Sequence, residues 1–298
     1  MPGDNKKEYG DYQTPLDFCN RVCGYVKSHV IDDPAAILEP TCGIGNFLYS
    51  ASEVFGCKNL YGIEINESYV RKAKGVIPSA DIVTGNIFDV DVHRLTQGNR
   101  VLIIGDPPWA TNSNLVFNLP QKVNFKGLRG IDALTGSSNF DICESIILRL
   151  LDEFKRTDST ICMLCKTSVA RNILLEISRN ALSYERTEML HFNANKVFGI
   201  SAAACVFILK LSTATMPNRR VVCTVKDFDS LQTIDTLVAE DNRIRPLTAS
   251  ADLEGTCQMT WRQGVKHDCG RVMELESSEN GLINKRKETV DIENALVF

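Results

Sequence analysis

Four short apolar runs constrain the chain most: "AAILEP" at 35–40, "NLYGIEI" at 59–65, "ADIVTG" at 80–85 and "RVLIIGDPP" at 100–108. Each has strand length and closes in Gly, Asn, Asp or Pro, the residues that stop a buried strand in a turn. Between the first two sits "GNFLYSASEVFG", and after the second comes "NESYVRKAKGV", both with helical spacing. Strands alternating with helices at this interval predict an α/β fold with a parallel sheet covered on both faces. The pattern resumes after residue 140. A helix is expected at "DICESIILRLLDEFKR", a strand at "STICMLCK", a helix at "SVARNILLEISRNAL", and strands at "YERTEMLHF", "AAACVFILKLS" and "RRVVCTVKD", where the sheet should end in an antiparallel hairpin.

An amphipathic helix is expected ahead of the first strand. Thr14 and Pro15 read as its N-cap and first position, with Leu16, Cys19, Val22, Cys23, Val26 and Val30 at helical spacing. Residues 110–139 are rich in Asn, Gly and Ser, and a loop of that length inside a compact domain is usually functional or mobile. These signals divide the chain into an N-terminal segment and helix at 1–30, a main domain at 31–240, and a polar stretch at 241–298 that reads as a linker or the start of a further region.

At 298 residues and 44% apolar, the chain can bury a large core. It carries no apolar run of membrane length and no signal-peptide core at its start, so a cytoplasmic location is expected. Eleven cysteines without an export signal are expected as reduced thiols. Cys162 and Cys165 have redox or metal spacing, but on a strand they point to opposite faces. Cys257, His267 and Cys269 match no common zinc spacing and lack a fourth ligand, so no metal is expected. A net charge of −4 does not advertise nucleic-acid binding, although basic residues cluster at Lys122, Lys126 and Arg129 and again at Lys285, Arg286 and Lys287.

The first strand ends in an acid and runs into a loop with Gly43 and Gly45, where an α/β sheet binds its ligands. Glu64 ends the second strand about twenty residues on, where a carboxylate accepts ribose hydroxyls. The third glycine of a dinucleotide fingerprint is missing, because Phe47 and Leu48 stand in its place. That disfavours a pyrophosphate and makes S-adenosylmethionine the better fit, with Asn86, Ile87 and Phe88 after the third strand supplying a polar group and an apolar edge for adenine. Core packing is the other reading of Phe88. After the fourth strand, Asp106-Pro107-Pro108-Trp109 must leave the sheet in a fixed extended shape, since proline restricts both itself and the residue before it.

In order, "YGDYQTPLDFCNRV", "ILEPTCGIGNFL", "LYGIEI", "GNIFD" and "IGDPPW" resemble the successive motifs of the N6-adenine DNA methyltransferases of the gamma arrangement, and the likeness extends through "TGSSNFDICESI" and "VFGISAAACVFIL". It is nearest to the methyltransferases of type II restriction-modification systems, including those fused to endonucleases. The resemblance implies a Rossmann-like S-adenosylmethionine-dependent methyltransferase fold. It also implies cofactor contacts from Tyr12, Gln13 and Thr14, from Glu39, Pro40, Thr41, Cys42, Gly43, Gly45, Asn46 and Phe47, from Glu64 and Ile65, from Asn86, Ile87 and Phe88, and from Asp106. Catalysis falls to Asp106, Pro107, Pro108 and Trp109, with Phe140 and Asp141 helping to build the base pocket. Asp106 stands where the gamma arrangement usually has Asn, which keeps the chemistry at an amine. "GVKHD" at 264–268 resembles a segment near the start of the recognition region of such enzymes.

These readings predict transfer of a methyl group to adenine N6 in a specific duplex DNA sequence. The alternatives are a glutamine or RNA-base N-methyltransferase, or a non-catalytic cofactor-binding subunit. Sequence-specific binding needs many phosphate contacts and a reading element in a groove. The acidic charge, and an end at "NALVF" with no complete second domain, give the expectation that a C-terminal target-recognition domain or a separate specificity or nuclease component completes recognition. Residues 1–298 alone should then hold DNA weakly, with a steep loss as salt rises; anisotropy titrations against duplexes of varied sequence test this, and tight selective binding at physiological salt would refute it.

Overall fold

The computed structural model describes residues 13–109, 141–247, 275–278, 281–284 and 289–290, and the chain divides into two units, Met1–Ala249 and Ser250–Phe298. Tyr12, Phe140, the loop with Lys122, Lys126 and Arg129, the segment with Cys257, His267 and Cys269, and the second basic cluster lie outside the described residues. The four apolar runs form β1 (Ala36–Glu39), β2 (Leu60–Glu64), β3 (Asp81–Thr84) and β4 (Val101–Gly105). They pair in parallel in the order β3-β2-β1-β4, and β5 (Thr160–Lys166) continues the parallel set beside β4. The chain therefore runs outward from β1 to β3, then crosses back and runs the other way. Strand order reverses between β1 and β4, and it is there, beyond the carboxyl ends, that open sheets of this kind hold ligands.

The helices are α1 (Leu16–His29), α2 (Asn46–Phe55), α3 (Glu67–Val76), α4 (Val92–Thr96), α5 (Ile142–Phe154) and α6 (Thr167–Arg179). Strand side chains alternate in direction, and both directions are apolar here. Leu38, Val101, Ile103, Ile161 and Met163 pack with α4, α5 and α6 on one face, while Ile37, Leu102, Ile104, Cys162 and Leu164 pack with α1, α2 and α3 on the other. Cys162 and Cys165 fall on opposite faces, as their spacing predicts, and every described cysteine is a free thiol.

Beyond β5 the sheet grows larger than a single hairpin. β6 (Tyr184–Asn193) leads through the short α7 (Ala194–Phe198) into β7 (Ala203–Leu211), which returns antiparallel between β5 and β6. β8 (Val221–Asp227) then lies parallel to β6, and β9 (Thr233–Glu240) and β10 (Arg243–Pro246) add antiparallel strands at the edge. β10 carries two arginines and a proline, features that stop an edge from pairing further and also hide it from a hydrophobic pattern. In the second unit, β11 (Leu275–Ser278), β12 (Gly281–Asn284) and β13 (Thr289–Val290) form an antiparallel sheet. Among the described residues no helix is long and apolar enough to cross a membrane.

The start of α1 differs from its sequence pattern. Pro15, not Thr14, occupies the N-cap, and Leu16 is 40% exposed rather than in the core. Thr14 does not cap because its hydroxyl is committed elsewhere. α1 is clamped to the sheet by buried polar groups: the Tyr25 hydroxyl donates to Glu188 Oε2 at 2.8 Å, and Lys226 Nζ donates to the Tyr25 oxygen and to Glu188 Oε1, both at 2.9 Å. Removing one partner of a buried charge pair strands the other. Lys226→Met should therefore cost about 2 kcal/mol, less than a fully enclosed pair because Arg186 remains 4.0 Å from Glu188. Urea unfolding checks this, and adding Glu188→Gln should recover part of the loss.

Candidate active site

Three acids end neighbouring strands at the switch point: Glu64 on β2, Glu39 on β1, and Asp106 immediately after β4. Loops following these strands supply their hydrogen-bond donors. The Gly43 N–H donates to Glu64 Oε2 at 2.8 Å and the Asn66 N–H to Oε1 at 2.7 Å. Glu39 lies beneath the glycine loop, 4% exposed, and accepts from the Leu48 N–H in the first turn of α2 at 2.9 Å. Burial pushes its carboxyl well above the usual carboxylate range, and the charges of Glu64 and Asp106 push the same way. Gly105 lets this acid lie against β4, since a Cβ there would come within 3.3 Å of Glu39 Cγ.

The glycine loop needs its glycines for conformation. Gly45 sits at φ +87°, in the left-handed region, with its N–H donating to the Cys42 carbonyl at 2.7 Å. A Cβ on it would also press within 3.3 Å of Ala73 and Ile77. The N-terminal segment closes over this loop: Gln13 Oε1 accepts from the Ile44 N–H at 3.1 Å, and the Thr14 carbonyl accepts from Asn46 Nδ2 at 2.8 Å. Pro40 is buried at the base of the loop, and Cys42 is buried and donates its N–H to the Ile63 carbonyl. The Thr41 hydroxyl is buried without a hydrogen-bond partner among the described residues.

Asp106 Oδ2 accepts from the Thr14 hydroxyl at 2.8 Å. Enclosure by protein pushes the Asp106 carboxyl up to about 7, against the pull of the hydrogen bond from Thr14. A carboxyl poised there, at a strand end beside a ligand loop, is typical of a functional group. Pro107 is buried, and Pro108 and Trp109 are half-buried. The indole N–H of Trp109 donates to the Leu164 carbonyl at 3.3 Å, and its ring meets Phe198 edge-on with centroids 5.6 Å apart.

Other residues that the sequence placed here also have contacts of their own in the fold. Phe47 is 1% exposed and Ile87 is 5% exposed, so both side chains belong to the core. Asn86 caps a turn, its Oδ1 accepting from the Phe88 N–H at 3.1 Å, and Phe88 packs partly buried on the core. Asp141 is the N-cap of α5, accepting from the Cys143 N–H at 3.0 Å and pairing with Lys166 at 2.9 Å. Two features escaped the sequence: the Thr14–Asp106 contact, across 92 residues, and the approach of Phe198 to Trp109. "VFG" at 197–199 lay inside the family resemblance, yet nothing local distinguishes Phe198 from a core aromatic.

The doubly wound sheet, glycine loop and strand-end acids define a Rossmann-like S-adenosylmethionine-dependent methyltransferase fold, and S-adenosylmethionine is its expected cofactor. Among solved structures the fold matches the type I restriction-modification system methyltransferase subunit from Streptococcus thermophilus, with a TM-score of 0.51 and 17% identity over 77% of this chain and 56% of that one. It also matches a nuclease-deletion mutant of the Type ISP restriction-modification enzyme LlaGI, with a TM-score of 0.51 and 13% identity over 78% of this chain and 26% of that one. In sequence, the chain is 37% identical over 98% of its length to the type II methyltransferase M.NspV of Nostoc sp., and it spans 64% of that relative. In sequence it is thus similar to a type II methyltransferase. No protein-family model matches it.

The residues present fit this cofactor. Glu64 would hold the ribose hydroxyls. Ile65, which follows it, is 49% exposed, and β3 lies beside β2, so Ile65 and Phe88 would offer apolar edges to adenine from neighbouring strand ends. Glu64→Ala should weaken S-adenosylmethionine binding roughly 10- to 150-fold, the worth of hydrogen bonds to a charged group. Calorimetry checks this, and unchanged affinity in a folded variant would remove Glu64 from the site.

Proposed function

We propose that this chain transfers a methyl group from S-adenosylmethionine to the N6 amine of an adenine extruded from duplex DNA, within a restriction-modification system. The observation that carries the reading is the Asp106-Pro107-Pro108-Trp109 turn, fixed at the carboxyl end of β4 beside the glycine loop, with its acid tied to Thr14. The cofactor, when bound, supplies an electrophilic methyl group. The protein must make a poor nucleophile adequate, because the lone pair of an exocyclic amine is delocalised into the ring.

Thr14 occupies one acceptor position of Asp106, and a carboxylate has about four. Asp106 accepts one N6 hydrogen and the Pro107 carbonyl accepts the other, which turns the nitrogen towards the methyl group and stabilises positive charge growing on it. No covalent intermediate is needed. The prolines hold both acceptors in place before substrate arrives, so that ordering cost is already met in folding. Trp109 offers a ring for the extruded base to stack on, backed edge-on by Phe198. A cleft of about 590 Å³ lined by residues including His191, Asn193, Lys196 and Ser201 continues the edge where β6 ends, giving room for nucleotides flanking the target.

Relatedness to M.NspV supports DNA as the polymer, and a target-recognition domain or a specificity or nuclease component as partner. Mass spectrometry of nucleosides from DNA exposed to the protein and S-adenosylmethionine should reveal N6-methyladenine. Methyl groups on glutamine or on RNA bases instead would favour the alternatives. Asp106→Ala should abolish transfer, with Asp106→Asn milder because an amide oxygen still accepts; Trp109→Ala should lose about 1–3 kcal/mol of base stacking, read as weaker binding of DNA with an unpaired target adenine. Full activity in Asp106→Ala would place the chemistry elsewhere.

A further inference from the structure

We infer that Thr14 is a positioning residue for methyl transfer: its hydroxyl fixes one oxygen of Asp106 against the protein and so presents the remaining acceptor positions to the substrate amine. This rests on the reading of Asp106 as the amine acceptor. A hydroxyl has one proton to give, and in Thr14 it points to Asp106 Oδ2 at 2.8 Å rather than to the backbone of α1, which starts without a side-chain cap. Thr14 is 5% exposed, so water competes little for that bond.

The residue is held from several directions. Its carbonyl accepts from Asn46 Nδ2 at 2.8 Å and from the Cys19 thiol at 3.8 Å, and its neighbour Gln13 accepts from the Ile44 N–H. α1 behind it is clamped through Tyr25, Glu188 and Lys226. Two consecutive residues thus strap the glycine loop and the acid together, so the geometry of Asp106 is tied to that of the cofactor loop.

Donation to a carboxylate favours its ionised form. Among the described residues, the titratable groups facing Asp106 are Glu39 on β1, Cys19 on α1 and Cys143 on α5. Both thiols are pushed up by burial and stay neutral near pH 7, and Glu39 is pushed well up by the same cause. The Thr14 hydroxyl is the donor hydrogen-bonded to this carboxyl, and with Asp106 pushed up to about 7 the strength of that bond decides how much of it is ionised near neutrality.

The sign follows directly. Only ionised Asp106 offers its full acceptor set, so kcat/KM for DNA should fall as pH drops through an acid limb. Losing the Thr14 donor raises the pKa of Asp106 and moves that limb to higher pH. With cofactor saturating, Thr14→Val should shift the limb up by about one unit, a loss of about tenfold on its acid side, with the wild-type and variant curves converging at high pH. Thr14→Ser, which keeps the hydroxyl, should hold the wild-type limb even if it is slightly less stable. Asp106→Asn, if active enough to measure, should show no limb, identifying its owner. An unmoved limb in Thr14→Val, or equal shifts in the Val and Ser variants, would overturn the role of Thr14 while leaving Asp106 in place. A wild-type profile with no acid limb, together with an active Asp106→Ala, would overturn both readings.

Discussion

The arrangement of this molecule depends on three carboxylates placed at the ends of three neighbouring strands in a water-poor crevice. Burial and the neighbouring charges of Glu64 and Asp106 disfavour ionisation of Glu39, and burial disfavours ionisation of Asp106. The chain answers with backbone N–H donors for two of the three, Gly43 and Asn66 for Glu64 and Leu48 for Glu39, and with the Thr14 hydroxyl for Asp106. The glycine loop therefore does more than clear space for a ligand, since its N–H groups also hold the acids in order. A crevice built this way is electrostatically incomplete, and a cationic ligand complements it.

The N-terminal helix belongs to the same problem. It begins beside Asp106, packs along α2 and ends against the antiparallel half of the sheet, joined there by Tyr25, Glu188 and Lys226. Arg21 lies over the Phe228 ring at 4.7 Å and pairs with Asp229, while Phe18 packs against Phe192 and Phe228. An aromatic series runs on through Phe198 to Trp109. Strands far along the chain thus brace the segment that reaches Asp106, which explains why the sheet needs more than its parallel core to build one site.

Much of this was legible in the sequence. Apolar runs of strand length, spaced by amphipathic segments, leave only a parallel sheet covered on both faces, because a strand apolar on both sides must be buried on both. Gly43, Gly45, Glu64 and the Asp106–Trp109 turn could be read locally, since strand ends, missing side chains and proline restrict the backbone whatever surrounds them. What local pattern could not fix was direction and partnership. Phe47 and Ile87 are apolar in either role, and only the packed core decided that their side chains turn inward. Asp141 is an acid before a helix, and only the position of Lys166 at the end of β5 made it one half of an ion pair. Thr14 carried the signal of a helix cap, but folding brought the half-buried carboxylate of Asp106 within 2.8 Å of its hydroxyl. An enclosed, partly ionised acid gains more from that proton than a helix end open to water does, so tertiary structure overruled the local preference.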